Sequence, residues 1–583
     1  MTQPAACGKT AACGFSAIDS ASAPMAARCG RSNLHAMQLE LELALDPIAA
    51  RADELGLLPE ELDPYGRHAA KIDLGALDRL QGEADGRLVC VTALTPTKAG
   101  EGKTTTAISL TDALGCIGER PLLCLREPSL GPVFGIKGGG TGGGRAQVVP
   151  MDLINLHFTG DIHAIGAANN LLAAMLESHL LHGNVLGIDP ASITWKRCLD
   201  MDDRALRQVV VGLGGRANGS PRETGFDITA ASEVMAVVAM ASDHEDLRRR
   251  LGAITVGTTF EGEPVTAELL GAAGSMAALL VDAIKPNLVQ TLEGQPALVH
   301  CGPFANIAHG NNSVVADRLG LKLADYVVTE SGFGADMGFE KLVDIVCQTS
   351  GIAPSAVVLV ATTQALKHHG GDQSGGLAAI ERGAVNLAAH LGIVRRFGLD
   401  CVVAVNRFPG DKPAELDAVR TLALELGAVA AEVNDGYERG GAGAVELAEA
   451  VAEAASTPAP ARYLYSLDDP IVEKIEAVAT KAYGAAGIEL SPEAKAAAER
   501  LTAAGLGSLP VCIAKTHLSL SHDPALTGAP AGFTLPVREL RPYTGAGWIV
   551  ALCGAMQTMP GLPADPAALR IDVDSAGGTV GLR

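Results

Sequence analysis

The residues best equipped for chemistry stand together at Lys103-Thr104-Thr105, directly behind Gly100 and Gly102. The surrounding stretch LVCVTALTPTKAGEGKTTTAISL, Leu88 to Leu110, reads as a β-branched apolar strand, a turn with Pro96, and an apolar helix opening near Ala107. Strand, glycine loop, Lys-Thr and helix is the order of a P-loop, where backbone N–H groups and the positive helix end cradle phosphate oxygens. On this reading the loop of Thr97, Lys98, Ala99, Gly100, Glu101, Gly102, Lys103 and Thr104 surrounds a phosphate group. Lys103 reaches the β/γ-phosphates and the Thr104 hydroxyl is placed for Mg2+. Thr97 stands where the first glycine of GxxxxGK[ST] is usual. The competing reading is an ordinary strand-to-helix turn with a capping threonine; the agreement of strand and helix on both sides favours the motif.

Other chemically capable side chains fall at the ends of short apolar runs. Arg126 and Glu127 follow Leu122–Leu125, Asn306 and His309 follow the run at Leu298, Glu330 follows Tyr326–Thr329, and Asn406 follows Cys401–Val405. Polar loop filler explains one or two such residues better than six. The segment REPSLGPVFGIKGGGTGGG, with Arg126 and Lys137, is so dense in glycine that it is expected to be irregular and to enclose a substrate. His157 and His163 lie six apart without a cysteine or third ligand nearby, which argues against a metal site. Asp161, between Gly160 and hydrophobic residues, is the better polar candidate. Val209 to Ala217 matches the G-x-G-x-x-A dinucleotide fingerprint, but Asn218-Gly219-Ser220-Pro221 breaks the helix it requires, so nicotinamide binding is rejected. Phe408 and Tyr437 are loop aromatics in a chain with only 3% aromatic residues, and together they could stack on a flat heterocycle.

The elements that must position these groups follow a βαβ grammar. The apolar runs, with Val357–Ala361 and Ala428–Val433 among them, alternate with helical segments. This predicts an α/β fold, P-loop NTPase-like, with a mostly parallel sheet covered by helices and a ligand crevice at the strands' carboxyl ends. Further helices are expected over 167–182, 231–251 and 266–284, and a strand over Val185–Ile188. With 583 residues the chain needs more than one core. Residues 1–36 lack periodicity and read as a disordered extension. Residues 37–456 form the catalytic region, with an internal boundary near 390. A Pro/Ala linker at Thr457–Pro460 then leads to a smaller α/β domain over 457–583. A net charge of −21 without a basic cluster argues against nucleic-acid or anionic-membrane partners. Twelve scattered cysteines with no CxxC pair suit a reduced, cytoplasmic protein. No uncharged apolar stretch approaches the ~18 residues of a membrane span.

In this order, TPTKAGEGKTTT, REPSLGPVFGIKGGGTGGG, HFTGDIHAI, GPFANIAHG, NRFPGD, LPVCIAKT and TMPGLP resemble formate–tetrahydrofolate ligases, over about Met37 to Arg583. The resemblance implies the monofunctional bacterial type, with a three-domain α/β subunit assembled as a homotetramer. It implies ATP with Mg2+, a monovalent cation (K+ or NH4+), and formate and tetrahydrofolate, including its polyglutamates, as substrates. By the same resemblance Lys103 and the backbone from Thr97 to Thr104 hold ATP, and Lys103, Arg126 and Asp161 are catalytic: Arg126 binds formyl phosphate, and Asp161 orients the reacting folate nitrogen or accepts its proton. Phe408 and Tyr437 sandwich the pterin. Four positions depart from the family pattern, which usually has tryptophan at Tyr437, cysteine at Asn311, glycine at Cys301 and arginine at Gln364. Two other readings remain beside it: a different P-loop ATP-dependent ligase of a small carboxylate, and a P-loop ATPase switch of the partitioning type.

Overall fold

Seven strands that bury both faces build the centre of the protein in the computed structural model, which describes residues 45–583 apart from 98, 99, 137, 138, 555, 576 and 583. They are β1 (Arg87–Ala93), β2 (Pro121–Leu125), β3 (Pro296–Val299), β4 (Tyr326–Glu330), β5 (Pro354–Ala361), β6 (Cys401–Asn406) and β7 (Ala430–Asn434). Side by side they run β3-β2-β4-β1-β5-β6-β7, every neighbouring pair parallel. Successive side chains of a strand point to opposite faces. Leu88 and Cys90 of β1 accordingly enter one hydrophobic cluster, and Val89, Val91 and Ala93 the other. β2 and β5 divide in the same way, Leu122 and Leu359 on one side, Leu123 and Val358 on the other. Both faces are thus covered, which is why these strands read as continuous apolar runs.

Helix α1 (Lys103–Cys116) and the helix Val445–Ser456 cover one face with Ile108, Leu110, Leu447 and Val451. Val314–Leu323 and Leu377–Arg396 cover the other with Leu319, Leu387 and Leu391. Among the described residues Leu377–Arg396 is the one helix long and apolar enough by composition to cross a membrane, and 56% of that window is buried inside the protein. Beyond β3 the sheet continues with antiparallel strands Asn287–Thr291, Ala70–Ile72 and Leu62–Pro64. The chain passes from β1 over β4 to reach β2, and later from β4 over β1 to reach β5. Strand order therefore reverses beside β1, the kind of point at which loops at the carboxyl ends of parallel strands form a ligand crevice.

Several local expectations give way. Val185–Ile188 is no strand: Asn184 and Gly187 turn the chain at φ 45° and 65°, leaving a single bridge between Ile188 and Thr259. Residues 231–251 form two helices, Glu233–Met240 and His244–Ala253, because the Asp243 side chain accepts from the Asp246 N–H and opens a second helix there. The stretch 266–284 keeps only Ala273–Leu279, after Gly271 turns at φ 70°. The glycine-dense loop after β2 is partly regular, with a turn of helix at Leu130–Phe134 and a hairpin pairing Gly142–Gly143 with Ala146–Val149. A smaller sheet near the carboxyl terminus pairs Val511–Ala514 in parallel, and Glu539–Tyr543 in antiparallel, with Trp548–Leu552. Asp46–Arg583 makes one compact unit. The amino-terminal extension over 1–36 lies outside the described residues.

Candidate active site

The loop after β1 takes its shape from two glycines. Gly100 and Gly102 sit at φ 79° and 76°, in the left-handed region that glycine enters without steric cost. Gly102 also caps α1, and a Cβ there would come 2.9 Å from Asn406 Nδ2. Glu101 is buried and braces the loop. Its Oε1 accepts from the Thr97 N–H (2.8 Å) and hydroxyl (2.9 Å), and its Oε2 from the Thr362 hydroxyl (2.7 Å). Thr97, where a glycine is usual, is thus a double donor inside the loop. Asn406 Nδ2 donates to the Glu101 carbonyl (2.8 Å), while its Oδ1 accepts from Thr106 Oγ1 and Asn434 Nδ2, both at 2.9 Å. The ends of β6 and β7 are so tied to the start of α1. Lys98 and Ala99 lie outside the described residues.

Glu330, the last residue of β4, gathers the next groups. Its Oε2 accepts from the Thr104 hydroxyl at 2.7 Å, and its Oε1 lies 3.5 Å from Arg126 Nη2. Lys103, at the head of α1, has no hydrogen-bond or ion-pair partner among the described residues. Burial lowers its pKa and Arg126 adds to the effect, while Glu330 and Glu101 pull the other way. Arg126 Nε is buried and unpartnered. An ammonium, a spare guanidinium N–H and a helix amino terminus together fit an anion. The Thr104 hydroxyl and Glu330 carboxylate supply the hard oxygens that Mg2+ takes. No cluster of three or more His, Cys, Asp or Glu able to hold a metal occurs among the described residues. An ion shared with substrate phosphates needs only one or two protein oxygens.

Asp161 is placed apart from this group and makes no hydrogen bond or ion pair with Lys103 or Arg126. It heads the helix Asp161–Leu181, after Gly160 at φ 89°. Lys71 Nζ lies 2.8 Å from its Oδ1 and 2.9 Å from its Oδ2, and Asn287 Nδ2 donates to Oδ2 at 2.7 Å. Lys71 is 1% and Asp161 3% exposed. Removing one partner of such a pair strands a buried charge and costs about 3–5 kcal/mol. Sequence reasoning missed Lys71 and Asn287; the available signal was a lysine inside the apolar run Ala70–Ile72, which must be paired once buried. Glu127 is also buried. Desolvation first, then Asp161, raises its carboxyl pKa well above the usual range, with Lys71 opposing.

Asn406 and Asn434 are register partners at the ends of β6 and β7, so Phe408 and Tyr437 leave adjacent strand ends. The Phe408 N–H donates to Asp411 Oδ2 at 2.8 Å. Tyr437 is 51% exposed, and its ring lies on Gly143, where an added Cβ would come 3.2 Å from Cε2. Its carbonyl accepts from the Arg145 N–H at 2.9 Å, and a Cβ on Gly144 (φ 63°) would come 2.1 Å from that oxygen. The glycines therefore let the loop after β2 slide under Tyr437.

Of the other strand-end residues, His309 is buried against the Asn312 carbonyl (3.1 Å), and desolvation pushes its pKa down to about 4. Asn306 donates to the Lys515 carbonyl. Cys301 adopts φ 54°, a glycine-like conformation, and its carbonyl accepts from the Glu127 N–H at 2.7 Å. Asn311 donates to the Glu330 carbonyl, and Gln364 is exposed.

The family model for formate–tetrahydrofolate ligase matches residues 35–583, a span that holds every group placed above. Proteins of that name are similar to this chain almost end to end. The one from Roseiflexus sp. (strain RS-1) is 55% identical over 553 residues, 92% of this chain and 98% of the relative. That from Desulforamulus reducens is 52% identical over 560 residues, covering 93% and 99%. That from Paracoccus denitrificans is 54% identical over 551 residues, covering 94% and 99%. With the start of α1, the glycine-dense loop and both aromatic loops all inside one continuous match, the chain belongs to the formate–tetrahydrofolate ligase family.

Proposed function

We propose that this chain joins formate to N10 of tetrahydrofolate, converting ATP to ADP and phosphate. The observation that carries the reading is the meeting of Thr104, Arg126 and Glu330 beside an unpartnered Lys103, in a chain of this family. Formate is a poor electrophile, so one of its oxygens first takes the γ-phosphoryl group, giving formyl phosphate and ADP. N10 then attacks the formyl carbon, the C–O bond to phosphate breaks, and the N10 proton leaves with the released phosphate.

Little covalent work falls to the protein, which positions reactants and offsets charge. The N–H groups of the Thr97–Thr104 loop hold the nucleotide phosphates, in a P-loop NTPase-like arrangement supported by the reversal of strand order beside β1. Lys103 neutralises the transferring group, and Arg126 holds formate and then formyl phosphate. Thr104 and Glu330 would hold Mg2+, which supplies charge neutralisation to the phosphate oxygens. Phe408 and Tyr437 stack on the pterin. For Asp161, orientation of the folate is the role its surroundings support, since accepting a proton would disrupt its pair with Lys71. The same reading includes a monovalent cation, polyglutamated folates, a cytoplasmic homotetramer and subunit divisions near 390 and 456.

Purified protein with ATP, formate and tetrahydrofolate tests it. The expected result is ADP and 10-formyltetrahydrofolate in equal amounts, with no turnover when formate is omitted. Formate-independent ATP hydrolysis would favour the switch reading, and product from another small carboxylate alone would favour a different ligase.

A further inference from the structure

The motif LPVCIAKT ends a strand of the small carboxyl-terminal sheet and has no part in the reading above. Its Lys515 is 0% exposed, with Nζ 2.6 Å from Asp336 Oδ2, 2.6 Å from the Ser519 carbonyl and 4.8 Å from the Tyr483 ring centre. Asp336 is 1% exposed and belongs to the short π-helix Ala335–Phe339 that follows β4, six residues beyond Glu330. Between them stands Phe333 at φ 61°, a left-handed conformation that a bulky residue holds only where its surroundings enforce it. His517, two residues past Lys515, stacks on Phe333 with ring centres 4.3 Å apart and planes 23° apart. On its other side the same loop is bonded to the sheet and to the loop after β3, through Ser331 N–H to the Val91 carbonyl and Gly332 N–H to the Gly310 carbonyl, both 2.9 Å. Segment 515–517 thus grips the loop that directly follows Glu330.

A buried ion pair is a weak source of stability, because desolvation offsets the attraction and apolar residues of similar volume would pack as well. It does hold two groups in one place and one direction. We propose that Lys515, with His517, is a positioning device that keeps the Glu330 carboxylate on the Thr104 hydroxyl, so that this carboxyl-terminal segment sets the use of magnesium–nucleotide and not the binding of folate. The inference rests on the role proposed above for Glu330 and Thr104.

The test is calorimetric binding of ADP, with and without Mg2+, to the full-length protein and to Lys515→Met, Lys515→Arg, His517→Ala and Glu330→Gln, alongside melting temperatures and tetrahydrofolate KM. Residues that orient a ligand of a metal typically change its affinity by about 10–100-fold when removed. Lys515→Met and His517→Ala are expected to lose Mg2+-dependent ADP affinity on that scale while ADP binding without Mg2+ and tetrahydrofolate KM hold. Lys515→Arg should recover most of the loss. His517 is only partly buried, so its variant carries the test if Lys515→Met fails to fold. If Glu330→Gln loses the Mg2+ effect but Lys515→Met and His517→Ala keep it, the positioning role is overturned and the Glu330 assignment stands. If Glu330→Gln keeps it too, both fall. A loss spread equally over ADP without Mg2+, tetrahydrofolate and melting temperature would mark Lys515 as structural only and overturn the proposal.

Discussion

Around Glu330 the crevice is closed by side chains that already engage one another: Thr104 on one carboxylate oxygen, Arg126 near the other, and the loop behind held by Lys515 and His517. Around Phe408 and Tyr437 the construction is looser. There an aromatic ring, half open to solvent, lies over glycine backbone, and its loop is held mainly by main-chain bonds. On the function proposed above, the two regions have different tasks. Charge developing on a transferring phosphoryl group is best met by groups fixed beforehand, because reorganising them during the reaction would cost what they contribute. A flat heterocycle is held by contact area, and the ligand itself completes the packing. Damage at the first end should therefore appear in turnover, and damage at the second in the Michaelis constant for folate.

The largest expected effect lies at the first end. Lys103→Ala should lower formate-dependent ADP formation by ~10²-fold or more, as removal of one preorganised group in a phosphoryl or oxyanion site does. Single-turnover ADP release and an unchanged melting temperature check it; near-normal turnover in a folded variant would break the comparison.

At the second end, Tyr437→Ala removes one face of the stack. Base–aromatic stacking is worth roughly 1–3 kcal/mol, or about 5- to 150-fold in tetrahydrofolate KM, with the KM for ATP little changed. Steady-state kinetics with each substrate varied in turn decides the matter. A rise in the KM for ATP alone would move Tyr437 to the nucleotide.

Gly144→Ala sharpens the same contrast without touching an aromatic ring. Its Cβ would meet the Tyr437 carbonyl at 2.1 Å on a left-handed backbone, so the aromatic loop must shift. The expected outcome is a rise in tetrahydrofolate KM of up to about tenfold, the equivalent of ~1.4 kcal/mol, smaller than that of Tyr437→Ala and again with ATP kinetics preserved.

A pH profile supplies a subtler check. In the proposed function Lys103 meets the phosphates as a cation, and its pKa is depressed chiefly by burial. The alkaline fall of kcat/KM for ATP should therefore come below the ordinary lysine value of about 10.4. Glu330 supports the ammonium and Arg126 opposes it, so Glu330→Gln should move that limb to still lower pH and Arg126→Gln to higher pH. A limb that stays put in both variants would detach it from Lys103. The smallest change is Tyr437→Trp, which keeps a ring at the position and should leave tetrahydrofolate KM unchanged or slightly lower.

Much of the first end was legible in the chain. Leu88–Val91, Gly100, Gly102 and Lys103-Thr104 announce strand, turn and helix because each requirement is local: two-faced burial, left-handed backbone, a helix start. The strand ends at Arg126, Glu330 and Asn406 were legible for the same reason. Less was readable where glycine dominates. The hairpin at Gly142–Gly143 has no side-chain pattern to betray it, and the helix expected across 231–251 depended on whether Asp243 would cap a new start.

What the sequence determined by itself is therefore the grammar: a parallel sheet buried on both faces, a phosphate-type loop at one strand end, and aromatic residues in loops after two neighbouring strands. What only the tertiary structure decided is which charges meet. Thr104 and Glu330 are 226 residues apart, Lys71 and Asp161 90, and Lys515 and Asp336 179. No periodicity links such positions. Their pairing is set by strand order in the sheet and by the high cost of leaving a buried charge without a partner.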